Sequence, residues 1–268
     1  MPDPKKHPGD GVAGVAGERI AKRIARAGLC SRREAERWIA DGRVALDGRV
    51  LTTPAVVVGP ASLVTVDGAL LPELEPPRLF RYHKPAGLLT TNRDPEGRPT
   101  VFDKLPPELP RLLAVGRLDL ASEGLLLLTN DGGLARHLEL PSTGWLRRYR
   151  ARARGTIDEA RLEPLANGIT IDGIAYGPIE ARLDRVQRAN VWLTLALREG
   201  KNREVRRVLE HLGLAVNRLI RIAYGPFQLG ELARGAVEEV PRRVLRDQLG
   251  PLYKDLAAKV GHDAHRRG

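Results

Sequence analysis

Between Glu18 and Gly42 the apolar positions fall at helical spacing. Ile20 and Ile24 form one buried stripe among the basic residues Lys22, Arg23 and Arg26, and Gly28 stops the segment. A second helix begins at Ser31, where Ser31 and Glu34 form an S-x-x-E capping box; Trp38 and Ile39 continue its apolar face and Gly42 ends it. The period then changes to two. Val44 and Leu46 alternate before an Asp47-Gly48 turn, Val50 follows it, and Val64 and Val66 mark another short strand. A strand from Leu79 to Tyr82 runs into the turn Lys84-Pro85-Ala86-Gly87, and DPEGRPTVFD (94–103) reads as a loop.

The strongest strand signal is the unbroken run Leu125 to Leu128, followed by an Asn130-Asp131-Gly132 turn. Farther on, Tyr149, Ala151 and Ala153 alternate with Arg148, Arg150 and Arg152, so one face of that strand is charged and the other is not. Residues 156–167 predict a helix, and short strands continue through Leu197. Val205, Val208, Leu209 and Leu212 then define the buried stripe of a last strong helix in EGKNREVRRVLEHLG (199–213).

Length and composition fit two domains. A chain of 268 residues with 42% hydrophobic content divides naturally at residues 69–77, where Pro72, Pro76 and Pro77 with the acids Glu73 and Glu75 predict a linker. Residues 1–17 lack large apolar side chains and are expected to be a disordered tail; residues after Leu249, ending HDAHRRG, are expected to be a loose basic tail. A formal G-x-G-x-x-G match at Gly9, Gly11 and Gly14 has neither the strand before it nor the helix after it that a dinucleotide site needs. The single cysteine, Cys30, excludes an intramolecular disulfide and argues against a thiolate zinc site or a cysteine nucleophile. No run of about 18 apolar residues and no apolar signal core is found, so a cytoplasmic, non-membrane protein is expected.

The formal charge of +11 points to a polyanionic partner, since neutralising phosphates releases condensed counterions. Arg32 and Arg33 sit in the first turn of a capped helix, a geometry suited to phosphate oxygens, although a solvated helix surface is the usual fate of such charges. On the late helix, Arg203 and Arg207 point away from the buried stripe and suit phosphates. Arg206 lies at its border, where it is placed to pair with a carboxylate. In VGRLDLASEGLLLLTNDG (115–132), Gly116 and Gly124 bracket Asp119 with permissive backbone. Residue chemistry alone leaves Asp119 open between a turn cap paired with Arg117 and a catalytic acid, leaves Tyr149 open between core and site, and makes Lys84 more often a surface lysine than a site residue.

The stretch RIAKRIARAGLCSRREAERWIADGRVALDG resembles the S4 RNA-binding domain. With DPEGRPTVFD, GRLD and EGKNREVRR behind it, residues 18 to about 249 resemble the RsuA/RluB/RluE/RluF family of pseudouridine synthases, in its large-subunit branch. That resemblance implies an α+β protein with an S4 domain over 18–68 and a catalytic domain over 78–249, whose mostly antiparallel mixed sheet is flanked by helices. It implies conversion of uridine to pseudouridine in ribosomal RNA, most plainly 23S rRNA or its precursor, by a monomer without cofactor or metal. Catalysis falls to Asp119, Tyr149 and Arg206, and substrate contacts to Arg117, which fills the space of the flipped base, with Lys84, Lys201, Arg203 and Arg207. RNA contacts of the S4 region fall to Lys22, Arg26, Arg32, Arg33 and Arg37. Two positions depart from the family pattern, Ser122 where threonine is frequent and Arg147 where lysine is frequent. Two other readings are a small-subunit rRNA synthase and a non-catalytic RNA-binding assembly factor.

Overall fold

The structure, a computed structural model, describes residues 17–264. The G-x-G-x-x-G match and nearly all of the expected N-terminal tail lie outside the described residues. The chain divides into two compact units, with the break in the main chain between Glu75 and Pro76.

In the first unit, β1 (Glu18–Arg19) pairs with β4 (Val57–Val58), and helices α1 (Ile20–Arg26) and α2 (Arg32–Ala40) precede a four-stranded sheet. That sheet runs in the order β3 (Arg49–Val50), β2 (Val44–Leu46), β5 (Val64–Val66), β6 (Ala69–Leu70). Ile20, Ile24, Ala35, Ile39, Val44 and Val64 close the core with Cys30 among them. Ser31 caps α2, its Oγ accepting from the Glu34 amide at 3.2 Å. β6 falls inside the stretch expected to be a linker, because Leu71 behind it packs into this core.

The second unit is built on a nine-stranded mixed sheet. Its elements are β7 (Leu79–Lys84), β8 (Leu113–Val115), β9 (Ser122–Thr129), α3 (Gly132–Glu139) and β10 (Arg147–Arg154), then the hairpin of β11 (Ile169–Ile171) and β12 (Ile174–Tyr176). They continue with β13 (Ile179–Gln187), β14 (Asn190–Leu197), α4 (Glu204–His211), β15 (Ala215–Tyr224), β16 (Phe227–Gln228), β17 (Val237–Glu239), α5 (Arg242–Leu249) and the first half of α6 (Pro251–Ala264), this unit ending at Ala257. The sheet order is β13-β14-β10-β15-β9-β7-β17, with β8 on β9 and β16 on β15. Pairing is antiparallel except between β15 and β9, whose register sets Leu219, Ile220 and Arg221 beside Ser122, Glu123 and Gly124.

Two cores sandwich the centre of this sheet. Leu126 and Leu128 enter the first with Tyr149, Ala151, Leu193, Val208 and Leu209, whereas Leu125 and Leu127 enter the second with Leu134, Leu138 and Tyr224. A strand buried on both faces requires an unbroken apolar run, which is why Leu125 to Leu128 shows no alternation. Gly124 has φ +102°, and a Cβ there would lie 2.3 Å from the Arg221 carbonyl, so the parallel pair closes only over glycine.

Three local expectations change. Asp131 does not sit in a free turn; it is the N-cap of α3, its Oδ1 accepting from the Gly133 and Leu134 amides at 2.8 and 2.7 Å. The helix expected at 156–167 is two 3-10 turns, Glu159–Arg161 and Glu163–Asn167, since Pro164 interrupts the amide ladder and Gly168 at φ +82° ends it. The segment after Leu249, expected to be loose, is helical over Pro251–Ala264, because Tyr253 and Leu256 bury against the second core.

Candidate active site

The turn between β8 and β9 is short, and several of its backbone groups are held by partners from elsewhere in the fold. The Gly116 amide donates to Glu139 at 2.7 Å, Leu118 exchanges hydrogen bonds with the Thr90 hydroxyl, and the Leu120 carbonyl accepts from the Gly87 amide at 2.8 Å. The Lys84 ammonium donates to the carbonyls of Pro85, Asp119 and Ser122 at 3.1, 3.2 and 2.9 Å. Arg206 donates from Nη2 to the Ala121 carbonyl at 3.1 Å and from Nη1 to the Val216 carbonyl at 3.0 Å. The Asp119 carboxylate, by contrast, makes no hydrogen bond or ion pair among the described residues. The backbone is pinned and the side chain is left free.

This carboxylate faces a cleft of about 580 Å³ shared with Arg117, Tyr149, Lys201 and Arg203, and closed below by Arg147, Arg221 and Tyr224. Tyr149, 9% exposed, lies opposite Arg221 on β15 and Leu195 on β14. Arg147 is buried, donating from Nη2 to the Tyr224 hydroxyl at 2.8 Å and from Nη1 to the Trp145 and Arg198 carbonyls; the Tyr224 hydroxyl donates to the Leu138 carbonyl at 2.7 Å. Arg221 donates from Nε to the Leu125 carbonyl at 2.7 Å, and its guanidinium lies 5.2 Å from the Tyr224 ring centroid. Glu204 is buried and accepts from the Lys201 amide at 2.9 Å, so the start of α4 is tied back to the loop that carries Lys201 and Arg203. Arg203, the residue before α4, holds φ +52°, a left-handed conformation that turns the chain into the helix.

The electrostatics follow burial. Desolvation pulls the Lys84 pKa down from 10.5 to about 8, partly offset by Asp119 and Glu123 and reinforced by Arg221. Burial also lowers Arg206, as does nearby Arg203, while Asp119 and Glu210 favour its charge. The Tyr224 hydroxyl is pushed up by burial, with Arg147 and Arg221 opposing, and burial raises the Glu204 carboxyl.

Of the residues expected at a site, Asp119, Tyr149, Arg117, Lys201 and Arg203 line one cleft. Lys201 is already engaged, its Nζ donating to the Ala175 carbonyl at 2.6 Å and to Glu199 at 2.7 Å. Arg206 and Lys84 stand behind that lining. Arg206 is not paired with a carboxylate as expected; it holds two carbonyls, because the helix border on which it lies faces the β8–β9 turn backbone. Lys84 is neither a surface lysine nor open to a substrate, being fully buried under three carbonyls. Arg207 is half-buried on α4 and outside the cleft lining. Arg218 is paired with Glu123 at 2.9 Å and Arg221 is buried. Arg147, Arg221 and Tyr224 are the cleft residues that the sequence did not assign to a site. Arg147 stands two residues before Tyr149 on one face of β10, whereas Arg221 and Tyr224 reach the cleft only through the pairing of β15 with β10, which no local pattern shows.

In the first unit, Lys22 and Arg26 are held by Glu18, at 3.5 and 2.5 Å. Arg32, Arg33 and Arg37 are exposed on α2 with no ion pair among the described residues. No group of three His, Cys, Asp or Glu is placed to hold a metal among the described residues, and none of their helices is long and apolar enough to cross a membrane.

Residues 78–211 match the family model of RNA pseudouridylate synthases and residues 18–67 match the S4 domain. An RNA pseudouridine synthase of Rickettsia felis is 47% identical over 228 residues, covering 85% of this chain and 99% of the relative. The ribosomal large subunit pseudouridine synthase B of Salmonella typhi is 42% identical, covering 93% and 89%, and that of Pasteurella multocida is 43% identical, covering 84% and 68%. A solved pseudouridylate synthase superposes with a TM-score of 0.59 at 26% identity, covering 85% of this chain and 98% of that one.

Proposed function

This chain belongs to the RNA pseudouridylate synthase family, with an S4 domain ahead of the catalytic fold, and from that premise we propose that it isomerises a uridine of large-subunit ribosomal RNA in the cytoplasm. In the reaction the N1–C1′ bond of uridine breaks and a C5–C1′ bond forms, C5 losing a proton and N1 gaining one. One observation carries the assignment of roles. Asp119 keeps an unpaired carboxylate in the cleft while its own backbone is held by Lys84 and the turn around it by Arg206 and Gly87.

Asp119 therefore acts at the ribose, as nucleophile at C1′ or as base in a glycal route, from a turn that does not have to reorganise when the substrate arrives. Arg206 keeps that turn in place through the Ala121 carbonyl. Tyr149, across the cleft, offers a ring on which the extracted uracil stacks and a hydroxyl to take the C5 proton. Flipping the base out costs a few kcal/mol. Exposed Arg117, two residues before the acid, fills the space that is vacated, while Arg203 and Lys201 meet the phosphates beside it. The S4 arginines Arg32, Arg33 and Arg37 add an anchor whose binding energy offsets the flip.

The large-subunit target is supported by the names of the Salmonella typhi and Pasteurella multocida relatives. The experiment is to map pseudouridines in ribosomal RNA from cells with and without this gene. Loss of one site in 23S rRNA is the expected result; a lost site in 16S rRNA, or none in either, overturns the target.

A further inference from the structure

The second core covers only part of the sheet face it packs on. Its residues come from β7, β8, β9, α3, β15, β16, α5, α6 and the adjoining loops, and none comes from β10, β13 or β14. Those three strands are covered on the cleft side, by Leu193, Leu195, Ala151 and their neighbours, and are bare on the other. At each outward position of β10 stands an arginine, namely Arg148, Arg150, Arg152 and Arg154, while the residues between them, Arg147, Tyr149, Ala151 and Ala153, are buried on the cleft side. Arg182 and Arg185 of β13 project on the same outward side, by their pairing with Thr194 and Trp192. Half-buried Trp192 lies between two guanidiniums, Arg150 at 4.8 Å and Arg185 at 5.7 Å from its ring.

We propose that this bare face binds the phosphate backbone of a second RNA segment, distinct from the one whose uridine enters the cleft. The proposal rests on the reading that the chain acts on RNA. Solvated sheet faces ordinarily mix charge signs. Here the acids on this face are Asp184, already engaged by Arg182 at 3.0 Å, by Arg150 at 3.7 Å and by the Thr194 hydroxyl at 2.8 Å, and exposed Glu180. Guanidiniums exceed carboxylates, and Arg148, Arg154 and Arg185 make no ion pair among the described residues. Arginine at every second residue places guanidiniums about 6.8 Å apart along the strand, a repeat suited to successive phosphates. RNA lying in the cleft cannot reach this side, because the same strand presents its odd positions to the cleft and its even positions here. A short hairpin serves the cleft alone, whereas a long folded ribosomal RNA supplies both segments.

The test compares the wild-type chain with the Arg148→Gln/Arg150→Gln/Arg154→Gln variant on a transcript of large-subunit rRNA and on a hairpin around the mapped uridine, with Kd measured at several salt concentrations. Expected on the transcript are at least tenfold weaker binding and a log–log salt slope shallower by roughly two to three, with KM raised and kcat unchanged; on the hairpin nothing changes. The matched variant Arg242→Gln/Arg243→Gln/Arg246→Gln, on exposed α5 positions, should leave the slope alone. An unchanged slope for the β10 variant, or an equal loss for the α5 variant, overturns the surface. Should the triple variant melt early, Arg154→Glu at its exposed site gives the same comparison. If the wild type forms no pseudouridine, the functional reading fails, while the transcript-binding comparison still decides the surface.

Discussion

The Lys84 ammonium donates to the backbone carbonyl of Asp119, at 3.2 Å, and leaves the Asp119 carboxylate alone. The lysine fixes where the acid stands without neutralising it. Lys84→Met removes a donor shared by three carbonyls, of which that of Asp119 keeps only the Ser122 amide at 2.9 Å. An unsatisfied buried acceptor costs on the order of 1–3 kcal/mol, and misplacing a catalytic group by about 1 Å costs roughly 10²-fold in rate. We expect kcat to fall by about that factor, with RNA affinity kept; a variant with wild-type kcat would refute the clamp.

The same lysine predicts a pH effect. Its folded pKa is about 8 against 10.5 for a free lysine. The unfolded chain therefore holds this proton more tightly, and its contribution to stability rises as pH climbs from about 8 to 10.5. Activity moves the other way, since a neutral amine has one donor fewer for three carbonyls. The kcat profile should fall with a midpoint near 8 in the wild type, and Lys84→Met should lack that limb. Superimposable profiles would remove Lys84 from the explanation.

Asp119→Asn should abolish product formation while leaving RNA affinity nearly unchanged. No described residue hydrogen-bonds to the carboxylate or forms an ion pair with it, so melting should move by no more than about 1–2 °C. Retained turnover of uridine to pseudouridine would end the assignment of this residue.

Arg206→Lys keeps the charge and loses the fork, because an ammonium on a lysine stem does not span the Ala121 and Val216 carbonyls together. A drop in kcat on the order of 10²-fold with little change in KM is expected. If charge alone mattered, the lysine variant would match the wild type.

Gly124→Ala tests the parallel seam. The methyl group would meet the Arg221 carbonyl at 2.3 Å and the backbone would sit at φ +102°. Strain and overpacking together cost about 3 kcal/mol or more, which for a unit of this size is a fall of roughly 6–12 °C in Tm. A variant that melts like the wild type would mean that β9 and β15 do not approach this closely.

For the S4 unit, Arg32→Ala/Arg33→Ala/Arg37→Ala should weaken RNA binding and make its salt slope shallower by roughly two, with kcat at saturating RNA unchanged. An unaltered slope would show that this helix is not an RNA anchor.

Much of the fold was legible because its causes are local. The capping box at Ser31, the alternation of β10 and the unbroken Leu125 to Leu128 run each record burial in residues next to one another. The site was legible only as a set of motifs. That Lys84 is buried, that Arg206 grips carbonyls and that Arg221 lies in the cleft floor all depend on partners far along the chain, Ala121 standing 85 residues before Arg206 and Leu125 standing 96 before Arg221. Helix α6 was missed for a related reason: Tyr253 and Leu256 look sparse in a basic stretch until a core waits for them.

Those long separations also set an order in time. The β8–β9 turn is complete only when α4 and β15 have joined it, so the carboxylate is delivered to a finished cleft only after the chain has been made past Tyr224. The S4 unit needs little beyond residue 71 for its core and can close first. During synthesis the protein is thus able to acquire its grip on RNA before its capacity to alter it.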